Sequence, residues 1–454
     1  MKNLIPGGFP ELLPEKKVIE NSMKDIIKSN YEKFGYVNIE TPSVELNEVL
    51  TSKGGDEVSK QIFGLYGLKQ GAKDMKEYAL HFDLTVPFAR YVVEHENELK
   101  FPFKRYQMQK VWRGERQQRG RFKEFTQCDV DVIGDNLGIE YDIEVIHTLY
   151  NTIKDMFEFL KINRGIEVHI NNRKFIDALC GFYDITGESK KNFYELLDSY
   201  YKTTEEEFLK GKYNSDGEQI KKGLSNISGK KFEEIFEILK TDISDLQFGD
   251  KNLQENFEEV KKTYDSLKSK GVNVVFDPFI TRGLDYYTGT VFETFVSKYF
   301  DFGSICSGGR YDGLVGDIRK LSGKKGKNYG GVGGSIGLTR LFARLEDSGL
   351  LEKNIPLSDA IVLNVPNSNL EYREKVGNLL RDSGIKTDIY YPEAKLGKQF
   401  SYATSKNIPL GIFAGEEEEK NNSVKVKDLD NRDSFEIETN DLVKFIENKL
   451  KKIL

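Results

Sequence analysis

The chain has 454 residues, of which 38% are hydrophobic and 31% charged, and its formal net charge is −6. This length predicts two or three domains rather than one core, and no apolar run approaches the roughly 18 residues of a membrane span. The negative charge argues against a protein that coats nucleic acid by bulk attraction, although a few basic side chains can still recognise it locally. The three cysteines and four histidines show no paired spacing, and the N-terminus lacks an apolar stretch of secretory length. We therefore expect a cytoplasmic protein with neither a disulfide framework nor a metal site.

The sequence pattern of residues 1–350 predicts a β-rich region that a helical segment interrupts. A helical pattern from 15 to 34 ends at Gly35, and a short strand follows at 36–42. Two alternating runs, near 101–113 and 122–133, are typical of strands. Residues 171–268 are rich in Lys, Glu and Tyr and lack clustered glycines, which favours an inserted helical domain. Strand-like sequence punctuated by glycines returns at 272–337.

The C-terminal part predicts a small α/β domain after a linker near 352–356. Strand and helix patterns alternate there, at 360–365 (strand), 370–382 (helix), 386–391 (strand), 397–405 (helix) and 410–414 (strand). A hairpin about Arg432 and a basic final helix close the chain. The predicted domains are 1–170, 171–268, 269–350 and 357–454, with 1–170 and 269–350 forming two parts of one domain.

The hairpin from 105 to 133 carries the most informative polar pattern. Alternation on its second strand places Thr126, Cys128, Val130 and Val132 on one face and Phe125, Gln127, Asp129 and Asp131 on the other. For the carboxylates alone, a solvated face is the simpler interpretation. Phe125, with Arg113 on the partner strand, favours a polar floor instead. Arginine can fork onto phosphate oxygens, a ring can stack on a base, and carboxylates can receive an ammonium group.

Arg113-Gly114-Glu115, followed by the run from Arg121 to Phe125, resembles motif 2 of the class II aminoacyl-tRNA synthetases. The resemblance implies that Arg113 holds the ATP α-phosphate, Glu115 meets the adenine edge, Arg121 contacts the phosphates and Phe125 stacks on adenine. It also implies contact of the tRNA acceptor end with the loop of Arg116, Gln117, Gln118 and Arg119. This chain has Gln117 where the family often has proline.

The run from Arg282 to Glu293 contains a cation, two phenols and a glycine ahead of a β-rich stretch. A tyrosine-rich strand is the plain interpretation. The run is similar to the peptide peculiar to histidyl-tRNA synthetases, which implies that Arg282 contacts the α-phosphate in place of a metal ion of sister enzymes. Tyr286 and Tyr287 would then help to form the imidazole pocket.

Three further segments resemble the family's amino-acid pocket. Asp83-Leu84-Thr85 implies binding of the α-amino group by Asp83 and Thr85, whereas the local pattern alone predicts a helix N-cap at Thr85. Gln127 and Asp131 match further positions that hold the amino acid. The segment 308–313, which by itself is typical of a glycine turn, implies a site role for Tyr311.

The remaining similarities concern ATP, the dimer and the anticodon. The segment 333–340 resembles motif 3, which implies that Arg340 binds the γ-phosphate; Thr339 stands where many members have an acid. No Gly-rich phosphate loop of the P-loop type is present, which argues against a P-loop ATPase. The segment 36–42 is similar to motif 1, which builds a dimer interface, and 395–399 is similar to the anticodon-binding domain.

Together these resemblances imply an α+β fold: a catalytic domain with a mainly antiparallel sheet, a helical insertion and a C-terminal α/β anticodon-binding domain. They imply ATP-dependent ligation of L-histidine to tRNA(His) through histidyl-adenylate, by a homodimer that uses Mg²⁺, with Arg113 and Arg282 as the catalytic residues. Two alternatives remain open: a non-catalytic, synthetase-like regulatory subunit of histidine biosynthesis, and another class II synthetase. The first usually lacks the terminal domain and much of the arginine set, and the Arg282 run argues against the second.

Overall fold

The computed structural model describes residues 4–52, 60–67, 77–115, 120–202, 229–281, 286–297, 302–351 and 355–453. The chain divides into two compact units. The first comprises Met1–Pro10 with Lys24–Leu351, and the second comprises Glu11–Met23 with Glu352–Leu454. Among the described helices, none is long and apolar enough to cross a membrane.

The described elements before residue 352 are eleven strands and ten α-helices. The strands are β1 (Val37–Asn38), β2 (Val44–Leu46), β3 (Gly64–Leu65), β4 (Tyr78–Leu80), β5 (Phe103–Trp112), β6 (Glu124–Gly134), β7 (Ile166–Asn172), β8 (Val274–Phe276), β9 (Thr290–Val296), β10 (Cys306–Arg310) and β11 (Gly330–Gly337). The helices are α1 (Pro14–Lys33), α2 (Asn47–Thr51), α3 (Thr85–His95), α4 (Ile139–Phe159), α5 (Arg173–Phe182), α6 (Gly187–Ser199), α7 (Gly229–Lys240), α8 (Lys251–Ser269), α9 (Leu314–Ser322) and α10 (Leu338–Asp347). Gly35, at φ 79°, follows the end of α1 as the sequence predicted, because glycine accepts the left-handed conformation that ends a helix. Helix α9 lies inside the region predicted to be strand-like, so that part of the prediction is wrong.

Eight strands of the first unit form one sheet in the order β1-β5-β6-β11-β10-β9-β7-β8. The pairs from β5 through β7 are antiparallel, and only the two outermost pairs are parallel. This sheet confirms the predicted α+β fold with a mainly antiparallel catalytic sheet.

The register of this sheet places one row of polar side chains across six strands. Directly paired residues point to the same face, and the pairs form an unbroken series: Gln107 with Asp129, Asp129 with Ser335, Ser335 with Ser307, Ser307 with Glu293, and Glu293 with His169. We call this face the floor. The face predicted to be apolar on β6, Thr126 to Val132, is buried on the opposite side.

The helices between β7 and β8 share one apolar core. Phe175, Leu196, Ile235 and Phe257 belong to it, and so does Phe279, which lies beyond β8. The predicted boundary between 170 and 171 falls within β7, and the contacts between Cα atoms keep 171–268 in the first unit. The boundaries of an insertion domain therefore stay a prediction.

The second unit contains a five-stranded sheet in the order β13-β12-β14-β15-β16. Its elements are β12 (Ala360–Leu363), α11 (Leu370–Asp382), β13 (Thr387–Ile389), α12 (Leu396–Ser405), β14 (Leu410–Phe413), α13 (Glu416–Lys420), β15 (Ser423–Asp428), β16 (Ser434–Glu438) and α14 (Leu442–Ile453). Strands β12, β13 and β14 are parallel, and β15 and β16 form the predicted antiparallel hairpin. This arrangement confirms the predicted C-terminal α/β domain.

Candidate active site

A fully buried arginine lies on β5, at one end of the floor. Arg105 on β5 is directly opposite Asp131 on β6 and exposes 0% of its surface. Its Nη2 atom lies 2.8 Å from Asp131 Oδ2 and 3.9 Å from Asp129 Oδ2. The same Nη2 donates to the carbonyl of Leu84, and the guanidinium lies 4.4 Å from the centroid of the Phe88 ring. Arg105 therefore partly neutralises two carboxylates that would otherwise be buried together.

Tyr311 and Asp131 form the second contact of this region. The Tyr311 hydroxyl donates to Asp131 Oδ1 at 2.5 Å, and the tyrosine is buried. Two glycines of β11 provide the space. A Cβ on Gly333 would lie 1.9 Å from Asp131 Oδ1, and one on Gly331 would lie 2.2 Å from Tyr311 Cε2. Glycines 331 and 333 are thus required by the close approach of these two side chains.

The start of α3 brings Asp83 into the same pocket. Asp83 Oδ1 accepts the backbone N–H of Val86 at 3.2 Å, and Oδ2 accepts the Tyr286 hydroxyl at 3.1 Å. The prediction of Thr85 as the N-cap is wrong, because Thr85 is the first residue of the helix and Asp83 provides the acceptor. Asp83 thereby joins the helix start to the tyrosine predicted to contact the imidazole.

Tyr286, Tyr287 and Tyr311 form an aromatic wall beside these acids. The Tyr286 ring meets the other two edge-on, with centroid distances of 5.1 Å to Tyr287 and 5.9 Å to Tyr311. Tyr286 and Tyr311 are buried and Tyr287 is half-buried. The wall offers apolar faces with phenol groups at its edge, which suits a small ring that carries hydrogen-bonding atoms.

Burial changes the protonation of the acids in this region. Desolvation raises the pKa of Asp129 to about 7, while Arg105 opposes the rise and Asp131 adds to it. The pKa of Asp131 is raised for the same reason, and that of Asp83 is raised by burial against the stabilising Val86 N–H and Arg113. Burial and the Asp83 charge raise the pKa of Tyr286, so this phenol stays protonated and donates. The region therefore gains electrostatically from a ligand with positive charge or N–H donors.

Arg113 begins the other half of the floor, directly after β5. Its guanidinium lies 4.3 Å from the centroid of the Phe82 ring and 5.1 Å from that of Phe125. Its Nε donates to the Phe82 carbonyl at 3.3 Å, and a quarter of the side chain is exposed. Burial lowers the pKa of Arg113, although Glu115 and Asp83 oppose the change. The Phe82 and Phe125 rings therefore position the guanidinium, while part of it stays accessible to a ligand.

Glu115, Arg121 and Arg340 complete a loosely paired cationic group. Glu115 lies 4.0 Å from Arg113 Nη1 and 3.6 Å from Arg121 Nη1. Arg340 on α10 donates from Nη2 to the Phe302 carbonyl at 3.1 Å, and its buried Nε has no partner among the described residues. Burial lowers the pKa of Arg340, and the nearby charges of Arg121 and Arg344 lower it further. Three arginines around one carboxylate give a net positive region that suits a polyphosphate.

A single cleft is lined by the predicted ATP-binding residues together with two serines and a glutamine of the floor: Arg113, Glu115, Arg121, Phe125, Gln127, Ser307, Ser335 and Arg340. Gln127 Nε2 donates to Ser335 Oγ at 3.0 Å, while its buried Oε1 has no partner among the described residues. That free acceptor lies between the acidic pocket and the cations. It can receive a donor from a ligand that spans both.

Thr339, the departure from the family pattern, has a structural role. Its Oγ1 accepts the backbone N–H of Thr126 at 2.9 Å, which ties α10 to β6. An acid at this position can accept the same hydrogen bond, so the substitution preserves the contact while removing a charge.

The structure brings together most of the predicted site residues. Those near the acidic pocket are Asp83, Thr85, Gln127, Asp131, Tyr286, Tyr287 and Tyr311, and those near the cations are Arg113, Glu115, Arg121, Phe125 and Arg340. Arg282 and the loop of Arg116, Gln117, Gln118 and Arg119 lie outside the described residues. Sequence reasoning missed the importance of Arg105 and Ser335. Pairing the two strands of the 105–133 hairpin residue by residue would have placed Arg105 opposite Asp131.

Comparison with known proteins gives a consistent result. The family model for histidyl-tRNA synthetase matches residues 8–341, and the model for the anticodon-binding domain matches 359–449. Histidine–tRNA ligase of Clostridium tetani is 40% identical over 99% of this chain and 99% of that protein, and that of Stenotrophomonas maltophilia is 36% identical over 99% and 98%.

Solved structures agree with the sequence relatives. Histidyl-tRNA synthetase from Nostoc sp. PCC 7120 covers 99% of this chain and 100% of its own at 32% identity, with a TM-score of 0.84. A Bacillus halodurans protein described as an ATP phosphoribosyltransferase regulatory subunit/histidyl-tRNA synthetase covers 88% of this chain and 97% of its own. At 22% identity and a TM-score of 0.67, it shows only the shared fold.

Proposed function

The chain belongs to the histidyl-tRNA synthetase family, and we therefore propose that it ligates L-histidine to tRNA(His) in two steps driven by ATP. In the first step a carboxylate oxygen of histidine attacks the α-phosphate of ATP, which forms histidyl-adenylate and releases pyrophosphate. In the second step the terminal ribose 3′-hydroxyl of the tRNA takes the acyl group, and AMP leaves. The observation that carries this proposal is the single floor on which an acidic, tyrosine-walled pocket adjoins a cationic cleft.

The acidic pocket is the proposed histidine site. Asp83, with the Thr85 hydroxyl beside it, receives the α-amino group; a carboxylate has four acceptor positions, of which Val86 and Tyr286 occupy two. Tyr286 and Tyr287 wall the imidazole, and Asp131 and Tyr311 provide an acceptor and a phenol for its nitrogens. Gln127 accepts from the substrate through its free Oε1. An amino acid without ring nitrogens would leave these buried polar groups unpaired, which gives strong selectivity.

The cationic cleft is the proposed ATP site. Arg113 and Arg282 stabilise the charge that develops on the α-phosphate, and Arg121 and Arg340 hold the β- and γ-phosphates. Phe125 stacks on adenine and Glu115 accepts from its edge. The first step needs no general base, because the attacking carboxylate is already an anion. In the second step the 3′-hydroxyl loses its proton as the ester forms and AMP leaves, and we assign no protein side chain as the base. Positioning and charge stabilisation by fixed cations account for the lowered barrier.

Mg²⁺ enters this proposal only as a companion of ATP. Across the described ranges, no group of three or more His, Cys, Asp or Glu side chains can hold a metal ion. Magnesium commonly binds through substrate phosphates with one or two carboxylates, and Glu115 is the carboxylate that lines the cleft. When bound, the ion would neutralise phosphate charge. The residues here fit an ion carried by the nucleotide rather than a resident metal site.

The tRNA contacts follow from the family match. The loop from Arg116 to Arg119 is proposed to meet the acceptor end, and the second unit, which matches the anticodon-binding domain over 359–449, is proposed to bind the anticodon. A homodimer built through residues 36–42 and a cytoplasmic location complete the proposal.

The alternative of a regulatory subunit has less support. The chain retains Arg113, Arg121, Arg282 and Arg340 as well as the terminal domain. The proteins that it resembles at 36–40% identity over nearly their full length are histidine–tRNA ligases. The histidine-specific family match also argues against another class II synthetase.

Amino-acid-dependent exchange between ATP and pyrophosphate tests the proposal. We expect exchange with histidine and with no other standard amino acid, and a strong loss in Arg282→Ala. Exchange with a different amino acid would overturn the pocket assignment while leaving the fold intact. A folded wild-type protein that shows no exchange at all would favour the regulatory alternative.

A further inference from the structure

Residues 277–281, here called the anchored segment, lie immediately before the histidine-specific peptide, 282–293. The described part of that peptide carries Tyr286 and Tyr287 into the pocket. The anchored segment follows β8 and makes specific contacts on two sides. These contacts fix the point at which the chain enters the peptide.

Strand β7 holds the anchored segment from the sheet side. Asp277 is buried, and its Oδ2 lies 2.6 Å from His169 Nδ1. Its backbone N–H donates to the Ile170 carbonyl at 2.9 Å. Asn171 Nδ2 donates to the carbonyls of Pro278 and Ile280, at 3.1 and 3.2 Å. His169 is the last member of the polar row on the floor, so this side of the anchor is continuous with the active site.

The end of α6 and the short 3-10 helix Tyr200–Lys202 hold the same segment from the helical side. The Tyr201 hydroxyl donates to Asp277 Oδ2 at 2.8 Å, and the Tyr200 ring stacks on Phe279 with a centroid distance of 3.8 Å and an interplanar angle of 12°. Thr281 Oγ1 donates to the backbone carbonyl of Tyr194 at 3.2 Å. Phe279 is itself buried in the core of these helices.

We infer that Tyr200 and Tyr201 are positioning residues for histidine activation, which act through the anchored segment on the histidine-specific peptide. The contacts that carry this role are those of Tyr200 with Phe279 and of Tyr201 with Asp277. The carboxylate of Asp277 joins Tyr201 to His169 and thereby joins the helices between β7 and β8 to the floor. The inference rests on the proposed function and gives those helices a role in positioning the histidine-specific peptide.

The physical reason is the short connection between anchor and pocket. Only four residues separate Thr281 from Tyr286, and the proposed catalytic Arg282 directly follows Thr281. Fixing the entry point restricts the positions that the peptide can take, and correct placement of a charge-stabilising group is worth large factors in rate. A loosened anchor should therefore lower kcat for activation more than it weakens histidine binding, since Tyr286 remains held by Asp83.

The experiment compares Tyr201→Phe and the double variant Tyr200→Leu/Tyr201→Phe with Tyr194→Phe. Tyr194 provides a matched control because its hydroxyl donates to Asp177 and to the Arg173 carbonyl. Only its backbone carbonyl, which Tyr194→Phe leaves in place, accepts from Thr281 of the anchored segment. Tyr201→Phe removes one hydroxyl and keeps the ring, so we expect the variant to fold, and thermal melting checks this. Full-length proteins are assayed by histidine-dependent ATP–pyrophosphate exchange, thermal melting and amide hydrogen exchange of peptides covering 277–297.

We expect kcat to fall about threefold in Tyr201→Phe, the effect of one net hydrogen bond, and about tenfold in the double variant. The KM for histidine should change less than about twofold, and amide exchange should rise in 277–297. Tyr194→Phe should keep wild-type kcat whatever its melting temperature. The inference is overturned if Tyr201→Phe and the double variant retain wild-type kcat, or if Tyr194→Phe loses as much. A wild-type protein without histidine-dependent exchange would instead refute the proposed function.

Discussion

The two halves of the floor differ in how their charges are satisfied. In the acidic pocket, Arg105 and Tyr311 are buried and contact Asp131, at 2.8 and 2.5 Å. In the cationic cleft, Arg121 is half exposed, and Glu115 lies 3.6 Å from it and 4.0 Å from Arg113. The first half has close contacts within the protein but keeps buried acceptors without a hydrogen-bond partner among the described residues, on Gln127, Asp129 and Asp131. The second half has an excess of cations whose partners are more distant.

This difference shows how one sheet face can serve two ligands of opposite character. A small amino acid is recognised by side chains whose positions the fold has already fixed. The entropy cost of ordering these side chains is therefore met during folding and does not weaken ligand binding. A triphosphate brings the charge that the cleft lacks, so its arginines stay partly unpaired until it binds. Variants in the two halves should therefore have different consequences for stability and activity.

The largest expected effect is that of Arg105→Met. Removing the cation leaves Asp129 and Asp131 buried together, which should lower the free energy of unfolding by about 3–5 kcal/mol. Histidine-dependent exchange should fall more than about 100-fold, which corresponds to a loss of about 2.7 kcal/mol or more of transition-state stabilisation when the pocket is misplaced. Exchange kinetics and urea unfolding measure both quantities.

Arg319→Met is the matched control for this variant. Arg319 is another buried arginine, paired with Glu96 at 2.8 Å, and it makes no contact with the floor residues named above. It should lose stability while retaining histidine activation. Equal losses of exchange in the two variants would show that destabilisation alone explains the effect. Arg105 would then have no specific role in the acidic pocket.

Arg340→Gln should lower histidine activation without lowering stability, in contrast to Arg319→Met. Activation should fall about 10²-fold at subsaturating ATP, because one of the fixed phosphate cations is lost. Stability should stay unchanged or rise slightly, because the folded state lowers the pKa of Arg340 through burial and two neighbouring arginines. Arg344→Gln, one helical turn away and not among the residues that line the cleft, should lose far less activity. A melting temperature that drops as much in Arg340→Gln as in Arg105→Met would contradict the contrast between the two halves.

Asp129→Asn gives a smaller, pH-dependent effect. The folded protein raises the pKa of Asp129 from 3.8 to about 7. Between about pH 4 and pH 7 the folded state therefore binds a proton that the unfolded state releases, and wild-type stability falls as pH rises through this window. Asparagine does not titrate, so the variant should gain on the wild type by about 2–4 °C in melting temperature between pH 4.5 and pH 7.5. If the melting temperature of the variant minus that of the wild type stays constant or decreases as pH rises over this range, Asp129 is not held neutral by burial.

The smallest expected effect is that of Thr339→Val. It leaves the buried N–H of Thr126 without its acceptor, which should lower the free energy of unfolding by about 1 kcal/mol. Thr339→Glu, which restores the acid of many family members, should retain more stability than valine. Equal melting temperatures for valine and threonine would mean that the hydrogen bond does not contribute.

Much of the floor could be predicted from the alternation on β6, because a strand turns successive side chains to opposite faces. That rule placed Gln127, Asp129 and Asp131 together correctly. It did not identify Arg105, because the role of this arginine depends on the register between β5 and β6, which places it opposite Asp131. The helix start was misjudged for a similar reason: only the backbone path shows that Thr85 is already the first helical residue and that Asp83 accepts the Val86 N–H. The identities of the ligands were predicted from the resemblance to synthetase motifs, because the alternation of side chains along a strand does not indicate which molecule binds.

Titration calorimetry of histidine binding without ATP, in wild type, Asp131→Asn and Arg340→Gln, distinguishes the two halves of the floor most directly. Wild type and Arg340→Gln should bind histidine with similar affinity, and Asp131→Asn should lose at least about tenfold, the loss that one charge-assisted hydrogen bond accounts for. Loss of binding in Arg340→Gln with retention in Asp131→Asn would contradict the assignment of the two halves of the floor.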